Sequence, residues 1–246
     1  MDIEVWYNLK AKFMENSLQA NRYLKYFDWI VGLFVAVLII SEIGSSKIAA
    51  FGPFNFDGGT VLFPISYIFG DVLTEVYGYA RARRVIWIGF VSVLLLALTL
   101  MIIQYLPAAP DWHNQQAYQS ILGFVPRIVL ASIMAFWAGE FSNSYVLAKM
   151  KVWTLGKWLW TRTIGSTIVG EGIDSLVFTL VAFAGTIPTF AVFNIIFTIY
   201  IFKVLFEVAA TPLTYAVVNY LKRSEGLDAF DAKTDFNPFK ASEATE

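Results

Sequence analysis

Six long apolar segments set the limits on how this chain can fold. Each has about the 20 residues that an α-helix needs to cross the hydrocarbon core of a bilayer. Because the apolar runs are continuous and do not alternate, they predict membrane-spanning helices rather than barrel strands. The sequence therefore predicts an all-α integral membrane protein with six transmembrane helices. The predicted spans are residues 27–49, 60–80, 85–106, 127–150, 158–184 and 190–221.

Composition excludes several other classes of protein. Of the 246 residues, 57% are hydrophobic and 15% are charged, whereas a soluble domain carries about 25% charged residues. The mean hydropathy of +0.60 likewise argues against a water-soluble or disordered chain. Since the chain has no Cys and one His, thiolate metal sites and a His-rich zinc centre are excluded. The net charge of −1 provides no positive field for a nucleic acid partner.

The distribution of Lys and Arg predicts the topology. Basic residues precede the first span and follow the sixth, and they fill the connections between spans two and three and between spans four and five. By the positive-inside rule, both the N- and the C-terminus are cytoplasmic. We therefore expect a cytoplasmic arm at 1–26, a transmembrane domain at 27–222 and a flexible cytoplasmic tail at 223–246. The arm lacks the features of a cleaved signal peptide, and the outer loop is predicted to contain a short helix at 112–122.

Ionisable side chains inside the spans are the strongest pointers to function. Each costs a few kcal/mol in the bilayer, so the default expectation is a functional role. The acids are Glu42, Asp71, Glu75, Glu140, Glu171, Asp174 and Glu207, and the bases are Arg162 and Lys203. Seven acids cannot all pair with two bases. Some must be protonated, bridged by water or available to a ligand.

Span two places Tyr67, Asp71 and Glu75 at four-residue intervals, and hence on one helix face. Two carboxylates one turn apart repel each other when both are ionised, which favours sharing of a proton. Phe63 followed by Pro64 allows the helix to break near its outer end. We expect this face to line a substrate site, and the alternative is a polar stripe that holds the helix against a neighbour.

Spans four to six add further candidates. Span five places Glu171 and Asp174 one turn apart among several glycines, which fits a site but also close helix packing. In span four, Trp137 lies one turn from Glu140 and is suited to stack on a flat ligand, whereas Glu140 could equally hydrogen-bond between helices. In span six, Lys203 and Glu207 fit either a self-neutralised pair or a functional one.

The sequence contains none of three common enzyme signatures. The chain has no Gly-rich phosphate loop, no HExxH and no GxSxG, so we expect no enzyme activity, no cofactor, no metal and no bound ATP. An interior lined by carboxylates and aromatic rings suits a flat, nitrogen-rich ligand or a cationic amine. The residues alone therefore indicate a transporter of small solutes with an acidic site.

Four motifs carry a resemblance to a known family. Residues 63–87 (FPISYIFGDVLTEVYGYARARRVIW) resemble the signature of the queuosine precursor transporter family, also called the vitamin uptake transporter family. Residues 127–151, 163–185 and 200–222 follow the same pattern in the same order. One departure is Ser41-Glu42-Ile43, where the family pattern is Ser-Asn-Ile, and this difference points to an altered substrate range.

The resemblance implies a bacterial inner-membrane transporter that imports 7-deazaguanine nucleobases for salvage into tRNA queuosine. Its implied substrates are 7-cyano-7-deazaguanine and 7-aminomethyl-7-deazaguanine. By motif position, the resemblance assigns the substrate site to Asp71, Glu75, Glu171, Asp174 and Lys203, with Arg162 at the inner mouth. The apolar span surfaces would contact membrane lipid or a second copy of the chain in a homodimer.

Two other classes of protein stay open. The first is a substrate-binding membrane subunit of a vitamin-type transporter that requires an ATPase partner. The second is a membrane enzyme or scaffold, which would need chemistry that the motifs do not supply. Uptake by the chain alone would separate a self-sufficient transporter from an ATPase-dependent subunit.

Overall fold

The computed structural model describes residues 24–51, 54–123, 126–183, 185, 189–232 and 234–240. Its architecture is a set of packed α-helices with one small β-hairpin. The elements in chain order are α1 (Phe27–Gly44), β1 (Ile48–Phe51), β2 (Phe54–Asp57), a 3-10 turn (Gly58–Val61), α2 (Phe63–Val72), a π-helical turn (Leu73–Tyr77), α3 (Tyr79–Gln104), α4 (Gln115–Leu122), α5 (Pro126–Trp153), α6 (Leu159–Phe183) and α7 (Thr189–Glu225).

Four helical segments within the described residues are long and apolar enough to cross a membrane. They are Phe27–Gly44, Tyr79–Gln104, Leu159–Ala182 and Ile196–Glu225. The expectation of a predominantly helical, multi-pass membrane protein is thus confirmed. The count of six spans and the cytoplasmic position of both termini stay predictions.

The first predicted span is too long at its C-terminal end. The helix α1 ends at Gly44 instead of residue 49, and Ile48 pairs with Asp57 in an antiparallel hairpin. The Ser45 hydroxyl donates to Ser41 O (3.0 Å) and the Ser46 hydroxyl donates to Ile43 O (2.8 Å). Serine hydroxyls that bond nearby backbone carbonyls compete with regular helix hydrogen bonding. Hydropathy alone does not register this local chemistry.

The second predicted span is not one regular helix. Instead, α2 passes into a π-helical turn, and Gly78 (φ = 87°) separates this turn from α3. Glycine adopts this left-handed conformation without the steric penalty of a Cβ. The Asp231 carboxylate accepts the Tyr79 N–H at 3.1 and 3.2 Å, which caps the first turn of α3. The chain therefore passes through Gly78 directly from the π-helical turn into α3. Turns of this π-helical kind are frequent at functional sites.

Glycines allow α5 and α6 to cross closely. A Cβ placed on Gly170 would lie 3.0 Å from Gly139 O and 2.7 Å from Asn143 Cβ. Only glycine leaves room for this approach, as in other close helix contacts in membranes. The crossing sets the distance between the polar faces of the two helices.

We expect Gly170→Ala to lower the free energy of unfolding by about 1–3 kcal/mol, because the added methyl group overpacks this crossing. Thermal unfolding of the purified protein in detergent measures the effect. Gly172→Ala is the matched control on the same helix, since a Cβ there would lie 3.6 Å from its nearest neighbour, the Tyr200 ring. Equal unfolding temperatures for the two variants would contradict the importance of the crossing.

The segment that follows α7 packs against α3 and is not a flexible tail there. Arg83, which is 1% exposed, donates to Asp235 O (2.9 Å) and Asn237 O (2.7 Å). The Trp87 indole donates to Pro238 O at 2.8 Å. Buried donors on α3 thus obtain partners from a segment that composition alone predicts to be flexible. Residues 241–246 of the predicted tail and 1–23 of the predicted arm lie outside the described residues.

Candidate functional site

A cluster of buried charges surrounds the carboxylate of Glu75 in the π-helical turn. Arg162 Nε donates to Glu75 Oε2 and Arg162 Nη2 donates to Oε1, both at 2.7 Å. Lys222 Nζ lies 2.5 Å and Lys151 Nζ lies 3.3 Å from Oε1. We call Glu75, Lys151, Arg162, Lys222 and Asp228 the Glu75 cluster. One carboxylate therefore joins α5, α6 and α7 to the π-helical turn.

The residue Asp228 completes the cluster from the segment after α7. It lies 2.5 Å from Lys151 Nζ and 2.9 Å from Lys222 Nζ. Partial burial would raise the pKa of Asp228, but the hydrogen bonds from Lys151 and Lys222 outweigh it and hold the pKa below its ordinary value. The carboxylate is therefore ionised at neutral pH and offsets part of the positive charge around Glu75.

The cluster was only partly foreseeable. Sequence reasoning named Glu75 and Arg162 as site residues, whereas Lys151 and Lys222 entered only as charges that set the topology. Lys222 lies 147 residues from Glu75 along the chain, so no local spacing relates the two. In the structure, the ion pairs of the Glu75 carboxylate are with cations, and none of the other acids of the predicted spans belongs to this cluster.

A second charged group lies between α6 and α7. Lys203 on α7 pairs with Asp174 and, at 2.8 Å, with Glu171, both on α6. Glu140 and Glu207 belong to the same electrostatic environment. The i,i+4 spacing had suggested Glu207 as the partner of Lys203, but the ion pairs to Asp174 and Glu171 tie α7 to α6 instead.

Hydrogen bonds join α2 and the π-helical turn to α5. They place Asp71 in the same polar interior as the charged group around Lys203. Asn143 Nδ2 donates to Asp71 Oδ1 at 2.7 Å, and the Thr74 hydroxyl, in the π-helical turn, donates to Ser144 Oγ at 3.0 Å. We call Asp71, Glu140, Glu171, Asp174 and Glu207 the interior acids. Asn143 was not among the site residues that the sequence predicted, because a single buried amide has no motif of its own.

Several buried acceptor atoms in the interior have no hydrogen-bond partner among the described residues. They are Asp71 Oδ2, Asn143 Oδ1, Glu140 Oε1, Glu140 Oε2 and Glu207 Oε1. Most buried polar atoms in proteins have a partner, so such a group calls for an explanation. An interior rich in free acceptors suits protons or a ligand that carries several N–H donors.

Glu140 has the most unusual surroundings of the interior acids. It is 0% exposed, and a Cβ built on Gly70 of α2 would lie 2.6 Å from Glu140 Oε2. The carboxyl group thus lies directly against the backbone of α2, one residue before Asp71. Glycine at position 70 is what makes room for it.

The aromatic candidates are distributed over different places. Tyr67 is buried, and its hydroxyl lies 2.6 Å from where a Cβ on Gly139 would stand, close to Asp174. Trp137 instead packs among the rings of Trp87, Phe141 and Phe239, with ring centroids 5.3–6.1 Å apart. Tyr67 therefore accompanies the interior acids, and Trp137 belongs to an aromatic group with α3 and the C-terminal segment. The side chain of Phe63 lies outside the described residues.

Long apolar helices around buried charged groups define this chain as a multi-pass membrane protein with a polar interior. The sequence model of the family described as "Putative vitamin uptake transporter" matches residues 57–217. The chain belongs to this family, which confirms the resemblance in its motifs. The matched range contains every interior acid and both Glu75 and Arg162.

Three relatives support the family assignment. The chain is 32% identical over 169 residues to the "Probable queuosine precursor transporter" of Bacillus subtilis (strain 168), which covers 68% of this chain and 73% of the relative. It is 26% identical over 193 residues to the "Queuosine precursor transporter" of Escherichia coli (strain K12), with 77% and 82% covered. It is 24% identical over 171 residues to the "Probable queuosine precursor transporter" of Haemophilus influenzae (strain ATCC 51907 / DSM 11121 / KW20 / Rd), with 67% and 69% covered.

No solved structure matches the chain. The relatives are named as transporters, a class of protein that moves solutes without changing their covalent structure. Their names confirm the expectation that the chain is not an enzyme.

Proposed function

We propose that this chain is a self-sufficient transporter of queuosine precursors in a bacterial inner membrane, with six spans and cytoplasmic termini. Its substrates are 7-cyano-7-deazaguanine and 7-aminomethyl-7-deazaguanine. The names of the three relatives support the substrate class. The observation that carries the proposal is the group of buried acceptor atoms without partners in the described interior. The names of the relatives give no support to the alternative of an ATPase-dependent subunit.

The chemistry of the substrate complements these acceptors. A 7-deazaguanine ring presents N1–H, a 2-amino group and N9–H as donors, and a carboxylate or amide oxygen can accept each of them. Hydrogen bonds to an ionised acceptor are the stronger ones. The aminomethyl form adds an ammonium group, for which Glu140 supplies two free oxygens.

The Glu75 cluster serves as the gate at one end of the path that the substrate takes through the helices. It ties the π-helical turn to α5, α6 and α7, at the end that the positive-inside rule assigns to the cytoplasm. Alternating access requires that one end of a transporter close while the other is open. In this arrangement Glu75 and Arg162 control the opening of the path. Asp71, Glu140 and the acids around Lys203 line the path.

Asp71→Asn is expected to reduce uptake of labelled 7-cyano-7-deazaguanine into liposomes about tenfold or more. The substitution keeps the shape of the side chain and its contact with Asn143, but it replaces the free acceptor by an N–H₂ donor. A donor that faces the donors of the ring leaves them without an acceptor, at a cost of about 1–3 kcal/mol.

Asp111→Asn is the matched control, because Asp111 is exposed in the outer loop. It should transport like the wild type. Both proteins must reconstitute to the same level, measured by protein recovered in the liposomes. Wild-type uptake by Asp71→Asn would remove Asp71 from the substrate site, and no saturable uptake by the wild-type chain would contradict the proposed function.

A further inference from the structure

The hydrogen bond between Asn143 and Asp71 fixes the orientation of the Asn143 amide. The amide N–H₂ group of Asn143 donates to the Asp71 carboxyl group, so this side of the amide faces Asp71. The 2.7 Å distance from Nδ2 to Asp71 Oδ1 agrees with this orientation. The amide carbonyl oxygen, Oδ1, takes no part in this bond.

The bond leaves one acceptor atom free on each of the two residues. Asp71 Oδ2 and Asn143 Oδ1 belong to bonded neighbours, both residues are 0% exposed, and neither atom has a hydrogen-bond partner in the part of the chain that the structure describes. A buried polar atom without a partner costs about 1–3 kcal/mol. A ligand that offers two adjacent donors would satisfy both atoms at once.

The Asn143 side chain is packed closely against α6. Gly170 on α6 leaves just enough room for the Asn143 side chain, since a Cβ there would lie 2.7 Å from Asn143 Cβ. Acceptors with little freedom to move discriminate well between ligands that differ in one donor.

We propose that the Asp71–Asn143 pair reads the N1–H and 2-amino group of a 2-amino-4-oxopyrimidine ring, and that Asn143 is the residue that selects for the 2-amino group. This inference rests on the proposed function and names the part of the substrate that the site recognises. An adenine-type edge is rejected, because its ring N1 is an acceptor and would face an acceptor of the pair. A hypoxanthine-type edge lacks the 2-amino group and leaves Asn143 Oδ1 without a partner.

Competition against uptake of labelled 7-cyano-7-deazaguanine tests this role. In the wild-type chain, 7-deazaguanine should compete about tenfold or more better than 7-deazahypoxanthine, which lacks only the 2-amino group. In Asn143→Leu the ratio should fall to about threefold or less, because the acceptor is gone. Asn143→Ala provides a smaller second variant should Asn143→Leu fail to fold.

Ser144→Ala is the matched control. Ser144 is equally buried on α5 and bonds to Thr74, so its loss perturbs the same interface without removing a free acceptor. Its competition ratio should equal that of the wild type, whatever happens to its uptake rate. A purely structural role for Asn143 would change the rate and leave the ratio unaltered.

The outcomes separate the two proposals. Wild-type uptake with equal competition by the two analogues would overturn the role of the pair and leave the transport function standing. An unchanged ratio in an active Asn143 variant would also overturn it. No uptake of the labelled precursor by the wild-type chain would overturn the proposed function, and this inference with it.

Discussion

Replacing Glu75 by glutamine is expected to lower the free energy of unfolding by about 3–5 kcal/mol. That is the usual cost of removing one partner of a buried ion pair, since it leaves the other partner buried without compensation. Arg162 and Lys151, each 1% exposed, would lose the carboxylate between them. The unfolding midpoint of the purified protein in detergent measures the loss.

A double variant distinguishes charge imbalance from simple loss of packing. Glu75→Gln together with Arg162→Gln should recover part of the stability, because the second change removes an unpaired cation. Asp28→Asn, at an exposed position near the start of α1, should leave the midpoint unchanged. The cluster would have no structural role if Glu75→Gln behaved like Asp28→Asn.

Lys203→Met should lower the free energy of unfolding by a similar amount. This substitution leaves acids without a cation, whereas Glu75→Gln leaves cations without an acid. Lys203 is the ion-pair partner of both Asp174 and Glu171, so its removal leaves two buried carboxyl groups without their cation. We expect a loss of about 3–5 kcal/mol in the free energy of unfolding. Uptake should fall as well, because α7 would no longer be tied to α6 beside the substrate.

Two further variants serve as comparisons for Lys203→Met. One replaces a second, exposed lysine, and the other adds a substitution that removes an unpaired acid. Lys157→Met, at an exposed position before α6, should not alter the unfolding midpoint. Lys203→Met combined with Asp174→Asn should unfold at a higher temperature than Lys203→Met alone. If the double variant were less stable than the single one, the ion pair would not account for the effect.

Hydropathy predicted the long helices well where the segments are uniform. The predicted span 127–150 lies within α5 (Pro126–Trp153), and 158–184 corresponds to α6 (Leu159–Phe183). It failed where local chemistry competes with the regular helix. The serines after α1 and the conformation of Gly78 end or interrupt segments whose average hydropathy remains high.

The acids of the candidate site could be found from sequence because each is costly within an apolar segment. Their partners could not, because partners in a helical membrane protein come from distant parts of the chain. Arg162 lies 87 residues from Glu75. Trp137 was chosen for its distance of one turn from Glu140, but the rings of Trp87 and Phe239, which the linear sequence does not place nearby, surround it instead.

The long separations within the Glu75 cluster also impose an order on biosynthesis. Glu75 is translated first, and the residues that neutralise it follow 76, 87 and 147 positions later. At about 5–20 residues per second, the last of them is translated about 7–30 seconds after Glu75. The nascent chain must therefore keep Glu75 protonated or hydrated until Lys151 and Arg162 have been translated. A chain that ends before Lys222 lacks the ion pair that ties α7 to the Glu75 carboxylate.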